Sequence, residues 1–352
     1  MTTQLSDAAI ALQFKALEEA DAVARLWRRD ASLWKTAPEH RKLIAGALGW
    51  LDLPSSMASE VAGLASFAEE IRLEGFSHAV VLGMGGSSLA PEVFRRAFGT
   101  RPGYPRLLVL DSTDPEAIRA TEAAADPRKT LYIVSSKSGT TTEPLRLFDY
   151  FQAKVLKSGG ATRSNFVAVT DPGTPLALLA KKEGFRRVFL NPADIGGRFS
   201  ALSFFGLLPA ALAGVDIGEL LKRARGAMDS CAAGVPVRDN PGASLGAALA
   251  AFAAAGRDKL TLLAGAEFES VGLWLEQLLA ESTGKEGRGV IPISERPFTE
   301  PRSYGKDRVF IVIQNGASAD AALETHAANL ERAGHPVLRV PLDGPLDLGA
   351  QF

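Results

Sequence analysis

The chain has 352 residues, 46% of them hydrophobic and 22% charged; that length points to about two domains, with ample apolar residues to bury in cores. Lys and Arg number 39 against 40 Asp and Glu, a net charge of −1, which excludes a general nucleic-acid binder built on a basic excess. The single cysteine, Cys231, excludes an intramolecular disulfide and fits a reducing compartment.

Met1 to Asp7 has neither the basic nor the apolar region of a secretory leader. No uncharged apolar run reaches the roughly 18 residues that span a bilayer; the longest alanine-rich run, Ala243 to Ala255, is too short. The expectation is a cytoplasmic protein with no membrane partner and no nucleic-acid partner.

Residues 1–75 read as an N-terminal helical segment. Ile10, Leu12, Phe14, Leu17, Val23, Leu26 and Trp27 recur at helical spacing. Pro38 starts a second predicted helix and Pro54-Ser55-Ser56 a third, running through Val61, Leu64, Phe67 and Ile71. This preamble carries no chemical motif and reads as a lid or packing layer.

Residues 76–198 alternate short apolar runs with helical patterns. The runs are Ala79–Leu82, Leu107–Leu110, Leu131–Val134, Phe166–Val169 and Val188–Leu190; helices are expected near 88–98, 115–124, 143–157 and 174–183. Such alternation predicts an α/β domain with a doubly wound parallel sheet. Residues 199–257 are again helical. A second alternation fills 258–352, with runs Leu260–Ala264, Val290–Ile293, Val309–Ile313 and Val337–Val340 and helices near 268–282 and 318–333. The chain reaches Phe352 shortly after its last strand, with no closing helix expected. Two α/β domains in tandem suggest duplication.

Four stretches carry chemistry. Six of the ten residues in Ser135-Ser136-Lys137-Ser138-Gly139-Thr140-Thr141-Thr142-Glu143-Pro144 are Ser or Thr. They join a predicted strand to a predicted helix, where free N–H groups and the helix dipole favour an anion such as phosphate. Gly83-Met84-Gly85-Gly86-Ser87-Ser88 follows the first strand, with glycines that let backbone approach a ligand and a serine that can cap the next helix. This stretch also reads as a plain turn and cap. It fails the dinucleotide pattern G-x-G-x-x-G at its sixth position, and no G-x-x-x-x-G-K-[ST] loop occurs.

In Asp194-Ile195-Gly196-Gly197-Arg198-Phe199-Ser200 two glycines bring a permanent cation close to bound substrate, where it suits a developing oxyanion; the alternative is a helix cap with a surface arginine. Gln277 and Glu281, four apart, share one helix face. Glu281 lies at a predicted helix end, where the dipole works against a carboxylate's charge. It reads either as a general base or as a solvated terminal residue, and Glu276 on the same helix as an exposed control. The histidines His40, His78, His326 and His335 have no metal-ligand spacing, so no metal is expected.

Taken together, the sequence from about residue 50 resembles the glucose-6-phosphate isomerase family. Its G-x-G-G-S, S-K-S-G-T-T-T-E, G-G-R-[FY]-S and E-S-x-G-K motifs occur in order as Gly83–Ser87, Ser136–Glu143, Gly196–Ser200 and Glu281–Lys285. Leu110-Asp111-Ser112-Thr113-Asp114-Pro115 is similar to the isomerase part of fused transaldolase/isomerase proteins. The resemblance implies two tandem sugar-isomerase-type (SIS) domains, no cofactor, and a homodimer. It implies a sugar phosphate substrate held by Gly85, Gly86, Ser87, Ser136, Lys137, Ser138, Gly139, Thr140, Thr141, Gly197 and Gln277. Arg198 would stabilise a cis-enediolate and Glu281 would move the proton between C2 and C1. The family also carries a ring-opening histidine after its E-S-x-G-K segment, and residues 290–316 hold none; its C-terminal F-D-Q-x-G-V-E-x-x-K segment is not found before Phe352. A non-catalytic phosphosugar-binding SIS module, or an isomerase of another aldose phosphate, are the other readings.

Overall fold

Five apolar runs pair in parallel as one sheet of the computed structural model, which describes residues 7–294, 298–316 and 320–352. They are β1 (His78–Gly83), β2 (Arg106–Leu110), β3 (Thr130–Ser135), β4 (Phe166–Thr170) and β5 (Arg187–Leu190), in the order β2-β1-β3-β4-β5. β1, β3 and β4 are buried along almost their whole length, which is why they read as unbroken apolar runs and not as alternation. Helices connect successive strands, among them Leu89–Phe98, Pro115–Ala124, Thr142–Lys157 and Pro175–Lys182. Asp114 and Thr174 cap two of them, each just before a proline in the first turn. On one face of the sheet Tyr132 stacks on Phe151 and Phe166, with ring centroids 4.9 and 5.1 Å apart, and anchors an aromatic core.

A second parallel sheet comprises β6 (Lys259–Ala264), β7 (Ile291–Ser294), β8 (Arg308–Asn315) and β9 (Val337–Leu342), in the order β7-β6-β8-β9. In both sheets the second strand flanks the first on one side and the third flanks it on the other. This shared winding is what a duplicated unit produces.

The chain divides into two compact units. One is Gly46–Lys222, with Phe352, around the first sheet; the other joins the described residues up to Ala45 to Arg223–Gln351, around the second. Within the latter, the first N-terminal helix Asp7–Glu19 packs on the alanine-rich helix Pro241–Ala254. Within the former, helix Val61–Leu73 packs on the apolar helix Phe204–Leu212.

Three local expectations need correction. The first helical pattern breaks at Asp21, whose φ of 49° is left-handed, a conformation a short polar side chain tolerates; helix resumes at Ala22–Trp27. The third N-terminal helix forms in pieces, Leu53–Ser56, a 3₁₀ turn Met57–Glu60 and Val61–Leu73. A helical turn, Leu348–Gln351, does follow the last strand. The expected helix near 318–333 runs Ala321–Arg332; its residues 318 and 319 lie outside the described residues, as do residues 1–6 of the stretch read for a leader. Among the described residues no helix is long and apolar enough to cross a membrane.

Candidate active site

The order of the first sheet reverses between β1 and β3, because β2 lies outside β1 and β4 outside β3. Open α/β sheets hold ligands at the carboxyl ends of strands at such a point. The two loops singled out by sequence leave β1 and β3 there, with Gly83 in register with Ser135. They are bonded to each other, since Ser135 Oγ donates to the Ser87 carbonyl at 3.2 Å. A Cβ on Gly83 would stand 2.9 Å from that same carbonyl oxygen, so only glycine permits the approach.

The hydroxyls of the β3 loop divide into two groups. Ser136, 2% exposed, is spent on the loop itself: its Oγ accepts from the Gly139 N–H at 3.1 Å and bonds Thr141 Oγ1 at 3.0 Å. Gly139 needs its φ of 66°, and a Cβ there would strike the backbone N of Leu176 at 2.8 Å. Ser138 and Thr140 are exposed and bond one another at 2.8 Å. Thr141 sits at the N-cap of helix Thr142–Lys157 without a side-chain bond to the helix. Its hydroxyl is turned to Ser136 instead. Similarly Ser88, expected as a cap, donates to Gly85 O at 3.1 Å and makes no cap bond. Gly85 takes a φ of 52°, followed by the 3₁₀ turn Gly85–Ser87.

Lys137, expected at the phosphate, is paired with Asp171. Its ammonium donates to Asp171 Oδ2 and, at 3.0 Å, to the carbonyl of Ala193. Burial pushes the Asp171 carboxyl above its ordinary range, with the Lys137 hydrogen bond opposing. Lys137 thereby links the β3 loop to the segment after β5, which carries Arg198.

That segment is clamped on the β1 loop. Ser200 Oγ donates to Gly197 O at 2.6 Å and lies 3.1 Å from Gly86 O. The Arg198 guanidinium lies over the Phe199 ring, 4.9 Å from its centroid. Within one unit, then, the loops after β1, β3 and β5 bring together Gly85, Gly86, Ser87, Ser136, Lys137, Ser138, Gly139, Thr140, Thr141, Gly197 and Arg198.

Gln277 and Glu281 belong to the other unit. They lie on helix Val271–Thr283, where Gln277 Nε2 donates to Glu281 Oε1 at 3.1 Å. Glu281 and the control Glu276 are both exposed. The helix returns from the end of β6 to the start of β7, so Glu281 at its far end lies at the amino edge of its own sheet. That is the edge opposite the one where open sheets hold ligands. Lys285 Nζ donates back to the Glu281 carbonyl at 2.5 Å. Glu286, at a φ of 56°, is paired with Lys35.

A sequence profile described as Phosphoglucose isomerase matches residues 69–300, a span that contains all four motifs. A glucose-6-phosphate isomerase of Carboxydothermus hydrogenoformans is 33% identical over 252 residues, 68% of this chain and 54% of the relative. The chain belongs to the phosphoglucose isomerase family.

Another member, a glucose-6-phosphate isomerase of Thermus thermophilus, is 40% identical over 200 residues, 53% of this chain and 44% of the relative. A probable glucose-6-phosphate isomerase of Haloarcula marismortui is 31% identical across 75% of this chain and 67% of its own length. The chain thus spans about half to two thirds of these curated relatives, 44–67%. Among solved structures, a hypothetical protein of Thermus thermophilus superposes with a TM-score of 0.81 at 27% identity, covering 98% of this chain and 88% of that one. A glucose-6-phosphate isomerase of Chlamydia trachomatis shares the fold, with a TM-score of 0.68 at 22% identity over 94% of this chain and 71% of that one.

In this phosphoglucose isomerase family chain, Asp171 is the site residue that sequence reading missed. Thr170-Asp171-Pro172 looks like an ordinary turn after a strand, and nothing local announces a lysine partner from the neighbouring loop. The usable signal was positional: Asp171 directly follows β4, at the same sheet edge as the loops after β1 and β3.

Proposed function

We propose that this chain interconverts glucose 6-phosphate and fructose 6-phosphate, an aldose–ketose isomerisation of glycolysis and gluconeogenesis acting through a cis-enediolate. The observation that carries the reading is the joining of three family motifs at one sheet edge, by the Ser135–Ser87 and Ser200–Gly86 bonds. Ser138, Thr140 and the N–H groups opening helix Thr142–Lys157 take the phosphate, which favours a helix N-terminus. Gly85, Gly86, Ser87, Gly139 and Gly197 let backbone come close to the sugar phosphate, while Ser136, Lys137 and Thr141 hold the loop in shape. Glu281 takes the proton from C2 and returns it to C1, a contribution of about 10²–10⁴ in rate. Arg198 stabilises the enediolate oxygen by a fixed positive charge, and Gln277 orients Glu281. No step calls for a metal or nucleotide. A homodimer and a cytoplasmic location belong to the same proposal.

The test is a coupled assay: the purified chain is given fructose 6-phosphate and formation of glucose 6-phosphate is followed. Turnover that disappears in Arg198→Ala and Glu281→Gln supports the proposal. Saturable sugar-phosphate binding without turnover in the unmodified chain sinks it in favour of a binding module.

A further inference from the structure

The residues before helix Val61–Leu73 carry no motif and read, in sequence, as a packing layer. Leu48, Leu51 and Leu53 behave that way, being 7%, 5% and 2% exposed. Trp50, between them, is only half-buried. Its ring is stacked on Phe199, with centroids 5.6 Å apart and planes 15° from parallel. Phe199 is the residue whose ring carries the Arg198 guanidinium.

Backbone contacts place Trp50 there. The Gly49 N–H donates to Asp194 O at 2.8 Å, and Leu48 pairs antiparallel with Ile195. The Asp194 carboxylate lies against Gly49, 2.3 Å from where a Cβ would stand, so a side chain there would have to displace it. Residues 48 and 49 therefore pair with residues 195 and 194 as a short antiparallel splint, and the Trp50 ring reaches from it to Phe199. All of these residues belong to one unit.

We infer that Trp50 is a positioning residue for Arg198, acting through the Phe199 ring. Arg198 has a long side chain with many rotamers, and a cation that must meet a developing oxyanion gains from being held in one of them. The Phe199 face attracts the guanidinium electrostatically. The stack on Trp50, a geometry aromatic pairs favour, fixes that face in turn. The leucines supply the burial, which leaves the indole to serve the ring above Arg198. This inference rests on the proposed role of Arg198 in isomerisation.

The experiment compares Trp50→Leu, Trp50→Ala and Trp50→Phe with the unmodified chain, by isomerase kinetics and by the NMR resonance of the Arg198 Nε–H group, identified through its loss in Arg198→Lys. Leu keeps bulk and removes the stack, while Phe keeps the stack. The expected result is a kcat lowered about tenfold in the Leu and Ala variants, with KM within about twofold, and recovery in Trp50→Phe. The Arg198 resonance, displaced by the Phe199 ring current, should shift or broaden in the first two variants and hold in the third. An unmoved resonance in Trp50→Leu overturns the inference, as does equal loss of kcat in Trp50→Leu and Trp50→Phe. An unmodified chain without turnover sinks the isomerase reading, and the resonance then decides the role of Trp50 by itself.

Discussion

A Cβ placed on Gly86 would lie 2.2 Å from the carbonyl oxygen of Gly197, far inside any real contact. The loop after β1 and the loop after β5 meet backbone to backbone at this point. Ser200 Oγ reinforces the contact at 3.1 Å from Gly86 O. The two family motifs that hold these glycines are thus the two halves of one junction.

The junction is asymmetric, and that gives a paired test. Gly86→Ala must push the Arg198 segment away, at a cost of about 1–3 kcal/mol, and isomerase activity falls with it. Gly197→Ala meets nothing within 4 Å, so stability should stay within about 0.5 kcal/mol. Any effect there should appear in KM, given the proposed place of Gly197 beside the sugar phosphate. Chemical denaturation of both variants beside their kinetics checks this; equal destabilisation by the two would refute the junction.

The hydroxyl loop predicts a similar division. Ser136→Ala removes one of the two acceptors of the Gly139 N–H, the other being the Ser136 carbonyl, and the partner of Thr141, and should cost about 1 kcal/mol of stability. Ser138→Ala, at an exposed position, should leave stability within about 0.5 kcal/mol and raise KM for the sugar phosphate. Urea midpoints and steady-state kinetics separate the two, and the opposite assignment would mean that Ser136 is the substrate ligand.

Much of this was legible in the sequence because burial on both faces writes parallel strands as plain apolar runs. Val80, Val134 and Ala168 head no motif, yet their runs fixed the strands, and with them the loops at the sheet edge. The hydroxyl, glycine and arginine stretches stood out because no apolar core uses such residues. The partners of those stretches were not legible. Asp171 reaches Lys137, and Trp50 reaches Phe199, only because strands or segments distant in sequence lie side by side. The break at Asp21 was hidden for another reason: hydrophobic spacing continues across it, and only backbone conformation records it.

Glu281→Gln should abolish isomerisation, by at least the roughly 10²–10⁴ that a positioned base supplies, while binding of a non-isomerisable sugar-acid phosphate stays unchanged. The amide keeps the shape of the carboxylate and can still accept from Gln277 Nε2, which donates to Oε1 at 3.1 Å. Glu276→Gln, an exposed neighbour on the same helix, is the control and should be silent. Retained turnover in Glu281→Gln would end its assignment as the base.

Asp171 supplies the pH test. Its carboxyl is held above the ordinary carboxylate value, burial outweighing the opposing Lys137 bond. The folded chain therefore binds this proton more tightly than the unfolded chain does. The stability this provides is complete below the unfolded value, about 3.9, and is lost as pH rises through the raised folded value. In Asp171→Asn that dependence is gone. The stability of the unmodified chain minus that of the variant should therefore fall as pH rises across this window, then level off toward neutrality. Urea unfolding of both proteins at a series of pH values from acid to neutral measures the difference directly. A difference that grows with pH would mean that the Lys137 ion pair outweighs the cost of burying the charge, and that Lys137 is held by Asp171 more strongly than the burial of the pair implies.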